Sequence, residues 1–190
     1  MTAASVLEQP VPHRLTVADF ELLAESGAFQ HNSRTELIEG EIFAMNALGR
    51  FHSLTHSRLF FRLCTALIAL DCGLEPLIAP SVRMPPDSEP EPDIVVTSQA
   101  RGKGPVPLAS VSLLIEVSDS TLSFDLVRKA RVYAHHGVPE YWVIDVNSET
   151  LIQHWEPQGD AYAQRVTHKL GTMLTAATLP GLSIPTDGLI

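Results

Sequence analysis

Apolar positions along this chain follow two rhythms, one helical and one extended, and the change between them marks out the elements. Thr16 followed by Asp19 has the form of a capping box, and Phe20, Leu22 and Leu23 give the residues after it an apolar side, with Gly27 as a stop. Thr35 to Met45 alternates around Glu39-Gly40 and predicts a hairpin. Leu59, Leu63, Ala66, Leu67 and Leu70 recur at helical spacing and predict a helix over about 53–71, stopped by Gly73. From Glu75 the pattern turns to strands, at 77–84, 93–97, 111–117 and 141–146. Loops rich in Pro and Gly separate them, with Pro85, Pro86 and Pro90 in one and 101–107 as another. A helix is predicted over 124–136, closed by Gly137. The alternating runs 151–155 and 162–167 predict an antiparallel extension, and 181–190 reads as irregular with one short strand.

The order strand, helix, strand over 111–146 is a βαβ unit, so its two strands should be parallel. The earlier strands are joined by loops too short for crossover helices and should be antiparallel. The expected class is therefore α/β or α+β, a mixed central sheet flanked by helices. A length of 190 residues suits one domain, expected over 14–190, behind a flexible N-terminal segment at 1–13. That segment lacks the basic and apolar regions of a signal peptide. The most apolar run, Leu59 to Leu70, is too short for a membrane span and contains Arg62. Cys64 and Cys72 give no disulfide framework, and Cys64 falls among apolar residues as core. These points lead to the expectation of a cytoplasmic protein. A net charge of −9 lacks the overall basic footprint of a tight nucleic-acid binder, so any basic surface must be local.

Candidate chemistry concentrates between residues 87 and 129. Asp87, Glu89, Glu91 and Asp93 recur at every second residue. The first three are expected to be solvated, while Asp93 opens a buried strand, where a charge needs a partner. Glu116 follows Leu113-Leu114-Ile115 and precedes Val117, so it is either a functional carboxylate or the cap of the next turn. Lys129 could pair with Asp125 on a helix surface, with Arg128 and Arg131 making a basic face. Against that, its helix leaves the C-terminal end of the Glu116 strand, the edge where open α/β sheets place their sites. His52 and His56 have the i, i+4 spacing of zinc ligands but no third ligand, and His56 reads better as a helper beside a neighbouring site. His135 and His136 suit a helix C-terminus. Among Glu36, Glu39 and Glu41, Glu36 begins the hairpin and can approach a site, and the others are expected to be solvated. There is neither a phosphate-binding glycine loop nor a Gly-Xaa-Ser-Xaa-Gly elbow.

The ordered set of segments resembles the Uma2 (DUF820-like) family of bacterial domains, assigned to the PD-(D/E)XK nuclease-like superfamily. The matching pieces are Glu36-Leu37-Ile38-Glu39-Gly40-Glu41-Ile42, His56, Pro92-Asp93-Ile94-Val95-Val96 and Leu114-Ile115-Glu116-Val117-Ser118. Asp125 to Lys129 with Tyr133, and Gly137 to Asp145, complete the set. The resemblance spans about 14–185 and implies a restriction-endonuclease-like core. It implies that Asp93 and Glu116 hold Mg²⁺ (or Mn²⁺) together with the main-chain carbonyl of Val117. Ser118 stands where the superfamily lysine is expected, and Lys129 matches the relocated lysine; Glu36 and His56 match additional polar positions. The implied activity is metal-dependent phosphodiester cleavage of nucleic acid, with DNA preferred. A non-catalytic module binding nucleic acid or protein, and a hydrolase of small phosphate esters, are the alternatives. A homodimer through the apolar end of the chain and the strands at 151–167 is a further expectation.

Overall fold

The structure, a computed structural model, describes residues 11–30, 34–45 and 49–190. Most of the expected flexible segment thus lies outside the described residues. The chain begins with α1 (Val17–Glu25), whose capping box is formed as expected: Thr16 and Asp19 hydrogen-bond reciprocally across the first turn. The hairpin is β1 (Thr35–Ile38) and β2 (Glu41–Ala44), and the long helix is α2 (Arg50–Leu70). There follow β3 (Glu75–Ile78), β4 (Val82–Arg83), β5 (Ile94–Thr97), β6 (Val106–Pro107) and β7 (Val111–Ser118). A π-helical stretch, Phe124–Lys129, runs into α3 (Ala130–His135). The chain ends with β8 (Glu140–Asp145), β9 (Thr150–Gln158), β10 (Ala161–Lys169), β11 (Met173–Thr175) and β12 (Ser183–Pro185).

Six strands form the central sheet in the order β10-β9-β8-β7-β5-β3. β7 and β8, the strands of the βαβ unit, are parallel, and every other neighbouring pair is antiparallel. Apolar runs in β5, β7 and β8 bury both faces, because successive side chains point to opposite sides. Ile94, Val96, Leu113, Ile115 and Val117 face α2 with Leu59, Leu63 and Leu67. Val95 and Leu114 face the other way, onto Tyr133 and Val132 of α3 and Ile38 of the hairpin. The same alternation puts Glu116 on the α3 side of the sheet, while Asp93, one residue ahead of β5, sits at the sheet's end within reach of His52 and His56 of α2.

Several expectations need correction. The stretch 77–84 is two strands, because the chain turns at Ala79 (φ 45°) and β4 leaves the sheet to pair in parallel with β6. Residues 101–107 therefore include a strand, and β11 is an additional one, paired with β12. The helix expected over 124–136 opens with widened π turns. Cys64 is half-buried rather than interior. At the apolar end of the chain, Leu174, Leu182, Ile184 and Leu189 are buried in the core beneath α2.

Candidate active site

The last paired residues of β5 and β7 on this side are Ile94 and Ile115, in antiparallel register. One further step brings Asp93 opposite Glu116. Asp93 is held from several sides. Its Oδ2 accepts hydrogen bonds from the Val117 amide at 2.7 Å and from His52 Nε2 at 3.0 Å. Its main-chain carbonyl accepts from Ala79 N at 2.9 Å and from His56 Nε2 at 2.8 Å. Burial alone would raise its pKa, but the His52 and Val117 contacts and the Lys129 charge outweigh burial and hold it below the ordinary value.

Glu116 lies under the helix that leaves its own strand. Lys129 and Tyr133, one turn apart, both reach its Oε1, with Lys129 Nζ and Tyr133 Oη each donating at 2.9 Å. Lys129 Nζ also lies 3.2 and 3.0 Å from the two carboxylate oxygens of Glu36. The hairpin, the central strand and the helix thus meet at one buried ammonium. Burial disfavours that charge, but Glu116 and Glu36 more than offset it and raise the Lys129 pKa. Glu116 moves well above the ordinary carboxylate range, pushed up first by burial, with Asp93, Asp125 and Glu36 adding to it against Lys129.

Arg34, just ahead of the hairpin, supplies the second cation. Its Nε donates to Glu91 at 2.7 Å, and its Nη atoms lie 3.8 Å from Asp93 and 4.0 Å from Glu36. Glu36, Asp93 and Glu116 thus lie against two fixed cations, with Asp125 nearby. They line a cavity of about 240 Å³ whose rim includes Gly49, Asp119 and Thr121.

The donor set fits a hard divalent cation. No hydrogen bond to Asp93 Oδ1 or Glu116 Oε2 occurs among the described residues, and both side chains line the cavity. The N–H and C=O of one strand residue point to the same side, so the Val117 carbonyl looks toward β5, as its amide does. Two carboxylates and one carbonyl make an all-oxygen set, left incomplete for water or phosphate oxygens. Among the described residues no three His, Cys, Asp or Glu side chains form a ready metal cluster. His52 and His56 both turn to Asp93, one to its carboxylate and the other to its main-chain carbonyl.

Of the residues singled out from the sequence, Asp93, Glu116, Lys129 and Glu36 line one cavity together with Val117. His56 does not line it and instead holds the Asp93 backbone. Three members were missed as site residues: His52, Arg34 and Tyr133. His52 carried a signal, since it lies one helical turn from His56, whereas Arg34 had none beyond its closeness to the hairpin. The surface pairing considered for Lys129 is replaced by burial. Asp125 instead accepts from the hydroxyls of Ser118 and Thr121, each at 2.7 Å. Of the carboxylates expected to be solvated, Glu91 is engaged by Arg34 and Glu39 by Arg128 and Arg131, while the Glu41 side chain stays exposed beside Arg14 and Arg128 and Asp87 has no ion pair among the described residues. Glu89 is buried.

A crystal structure of "a putative nuclease belonging to DUF820" from Anabaena variabilis is similar over 92% of this chain and 97% of that one, with a TM-score of 0.68 and 17% identity. At that identity the likeness is one of fold, a mixed sheet flanked by helices. No curated protein matches the sequence. The profile of the Uma2 family, described as "Putative restriction endonuclease", matches residues 17–187. By that match, over nearly the whole described length, the chain belongs to the Uma2 family.

Proposed function

We propose that this protein is a Mg²⁺-dependent phosphodiesterase acting on nucleic acid, with DNA as its substrate. The observation that carries the reading is the buried Lys129 ammonium, 2.9 Å from Glu116 in a cavity that Asp93 also lines. The family description and the fold of the DUF820 protein point the same way.

Asp93 Oδ1, Glu116 Oε2 and the Val117 carbonyl would hold the cation, which supplies Lewis-acid polarisation of a phosphoryl oxygen and lowers the pKa of water. The chain's own groups do the rest. His52 and the Val117 amide occupy Asp93 Oδ2, leaving Oδ1 without a hydrogen bond among the described residues and 3.8 Å from Arg34 Nη1. Lys129 stabilises the negative charge growing on the phosphoryl oxygens as the water oxygen bonds to phosphorus, its proton passing to solvent, and the bond to the departing oxygen breaks, that oxygen taking a proton from solvent. Glu36 keeps Lys129 charged and in place, and Tyr133 fixes the shared Glu116 oxygen.

Cleavage of end-labelled duplex DNA with Mg²⁺ tests this. Asp93→Asn and Lys129→Met should each lower the rate at least about 100-fold, the range for loss of a charge-stabilising group, and EDTA should abolish cleavage. Full activity in either variant would rule the mechanism out. The net charge of −9 favours one second reading, a non-catalytic module on the same fold. That reading predicts no cleavage by the wild type with either Mg²⁺ or Mn²⁺.

A further inference from the structure

Only one side of α2 is used in the fold. His52, His56, Leu59, Leu63 and Leu67 are buried, whereas Phe51, Leu54, Phe61 and Ile68 on the opposite side are 68, 43, 71 and 79% exposed. With exposed Arg58 and Thr65 they fall at successive spacings of 3, 4, 3, 4 and 3 residues. That is the seam of a two-helix coil, in which the a and d positions of a heptad line one stripe. Single exposed apolar residues are ordinary, but four of six seam positions filled by Phe, Leu and Ile are not. No described residue covers the stripe.

We propose that a second copy of this chain docks there, α2 against α2, antiparallel about a two-fold axis between Arg58 and Phe61. In this register each seam residue has a compatible partner on the other copy: Phe51 meets Ile68, Leu54 meets Thr65 and Arg58 meets Phe61. The charge pattern selects the direction. A parallel pair sets Arg58 against Arg58 within an apolar seam, whereas the antiparallel pair lays each guanidinium over an aromatic ring. The interface is isologous, as two-fold dimers require. A nucleic-acid strand fits the stripe less well. Of the three arginines of α2, Arg62 is committed to the carbonyls of Pro185 and Asp187 at 2.7 and 2.6 Å, leaving Arg50 and Arg58.

The size of the stripe sets the strength. A large apolar side chain fully buried removes roughly 150–250 Å² from water, so the exposed parts of these four come to roughly 500 Å² per copy. The total of about 1,000 Å² is the lower bound of a specific interface. The dimer should be weak and concentration-dependent, as contacts at the low end of the size range are.

Sedimentation equilibrium from about 1 to 300 µM, the range of weak association, should show monomer and dimer. Ile68→Glu and Phe61→Ala should each weaken association at least about 10-fold while leaving the thermal melt of the monomer unchanged, because both side chains are exposed. In a Cys64→Ala, Cys72→Ser background, Leu54→Cys with Thr65→Cys should form an intermolecular disulfide, and Leu54→Cys alone should not. A wild type that stays monomeric, or a dimer indifferent to both seam variants, overturns the proposal. Crosslinking by Leu54→Cys alone overturns the antiparallel register. Binding of single-stranded DNA to a monomer, lost in Phe61→Ala, would assign the stripe to nucleic acid instead.

Discussion

Glu140 shows what a buried carboxylate is like when it is structural. It is fully buried and accepts five hydrogen bonds: from Trp142 and Gln153 on the sheet, from the amides of Ala177 and Thr178, and from the Thr178 hydroxyl. Every acceptor site is used, so the group fastens the loop after β11 to β8. Glu140→Ala strands several buried donors at once and should lower unfolding free energy by about 3 kcal/mol in urea denaturation. Glu116 differs in the respect that matters. One of its oxygens takes both donors, the other takes none among the described residues, and the cavity lies beside it. Asp93 and Glu116 were legible in the sequence because a charge in an apolar strand needs a reason. The role of Arg34 was not, because it depends on the hairpin folding back across residues far away in the chain.

Among the elements, the hairpin carries Glu36 to Lys129, and its turn is the most constrained part of it. Glu39 and Gly40 have φ of 51° and 74°, and a Cβ on Gly40 would lie 2.6 Å from Arg14 Cβ and 3.0 Å from the Leu15 carbonyl. Gly40→Ala should cost about 2 kcal/mol of stability, measured by thermal or chemical unfolding, because it adds left-handed strain to a backbone clash. It should also slow cleavage by displacing Glu36, a loss that Glu41→Gln on the outer edge of the same hairpin should not reproduce. The strands and helices themselves were legible from periodicity. The break at Ala79 was not, since the apolar pattern continues through it and only the pairing of β4 with β6 pulls the chain aside. The π turns at Phe124–Lys129 were equally hidden. The sequence there has ordinary helical spacing, and the widening appears only where Lys129 must reach Glu116 and Glu36.

Across the whole molecule, two buried groups give stability opposite pH dependences over the same window. Glu89 is raised to about 7, by burial and the neighbouring Glu21 against Arg83. The fold favours its protonated form, so its contribution is full below about 4.5 and is lost as pH rises through 7. His154 is lowered to about 4, by burial and then by Arg165. Its contribution is full above about 6.5 and is lost as pH falls toward 4. The two trends offset each other in the wild type. Glu89→Gln removes one of them: it should gain roughly 1–2 kcal/mol over wild type at pH 8, discounted for the solvent near Glu89, and show no gain near pH 4.5. A wild-type profile left unchanged by the substitution would contradict this assignment.

Glu36, Asp93, Glu116, Asp119 and Asp125 surround one cavity that also holds Lys129 and Arg34, so acceptor oxygens crowd the place where a cation would sit. Calorimetric titration with Mn²⁺, an oxygen-seeking stand-in for Mg²⁺, measures this directly. The wild type should bind with measurable heat, Asp93→Asn should lose that heat, and Asp160→Asn on the distant surface should keep it. Equal binding by wild type and Asp93→Asn, or no binding by the wild type at millimolar Mn²⁺, would contradict a metal-dependent site at Asp93 and Glu116.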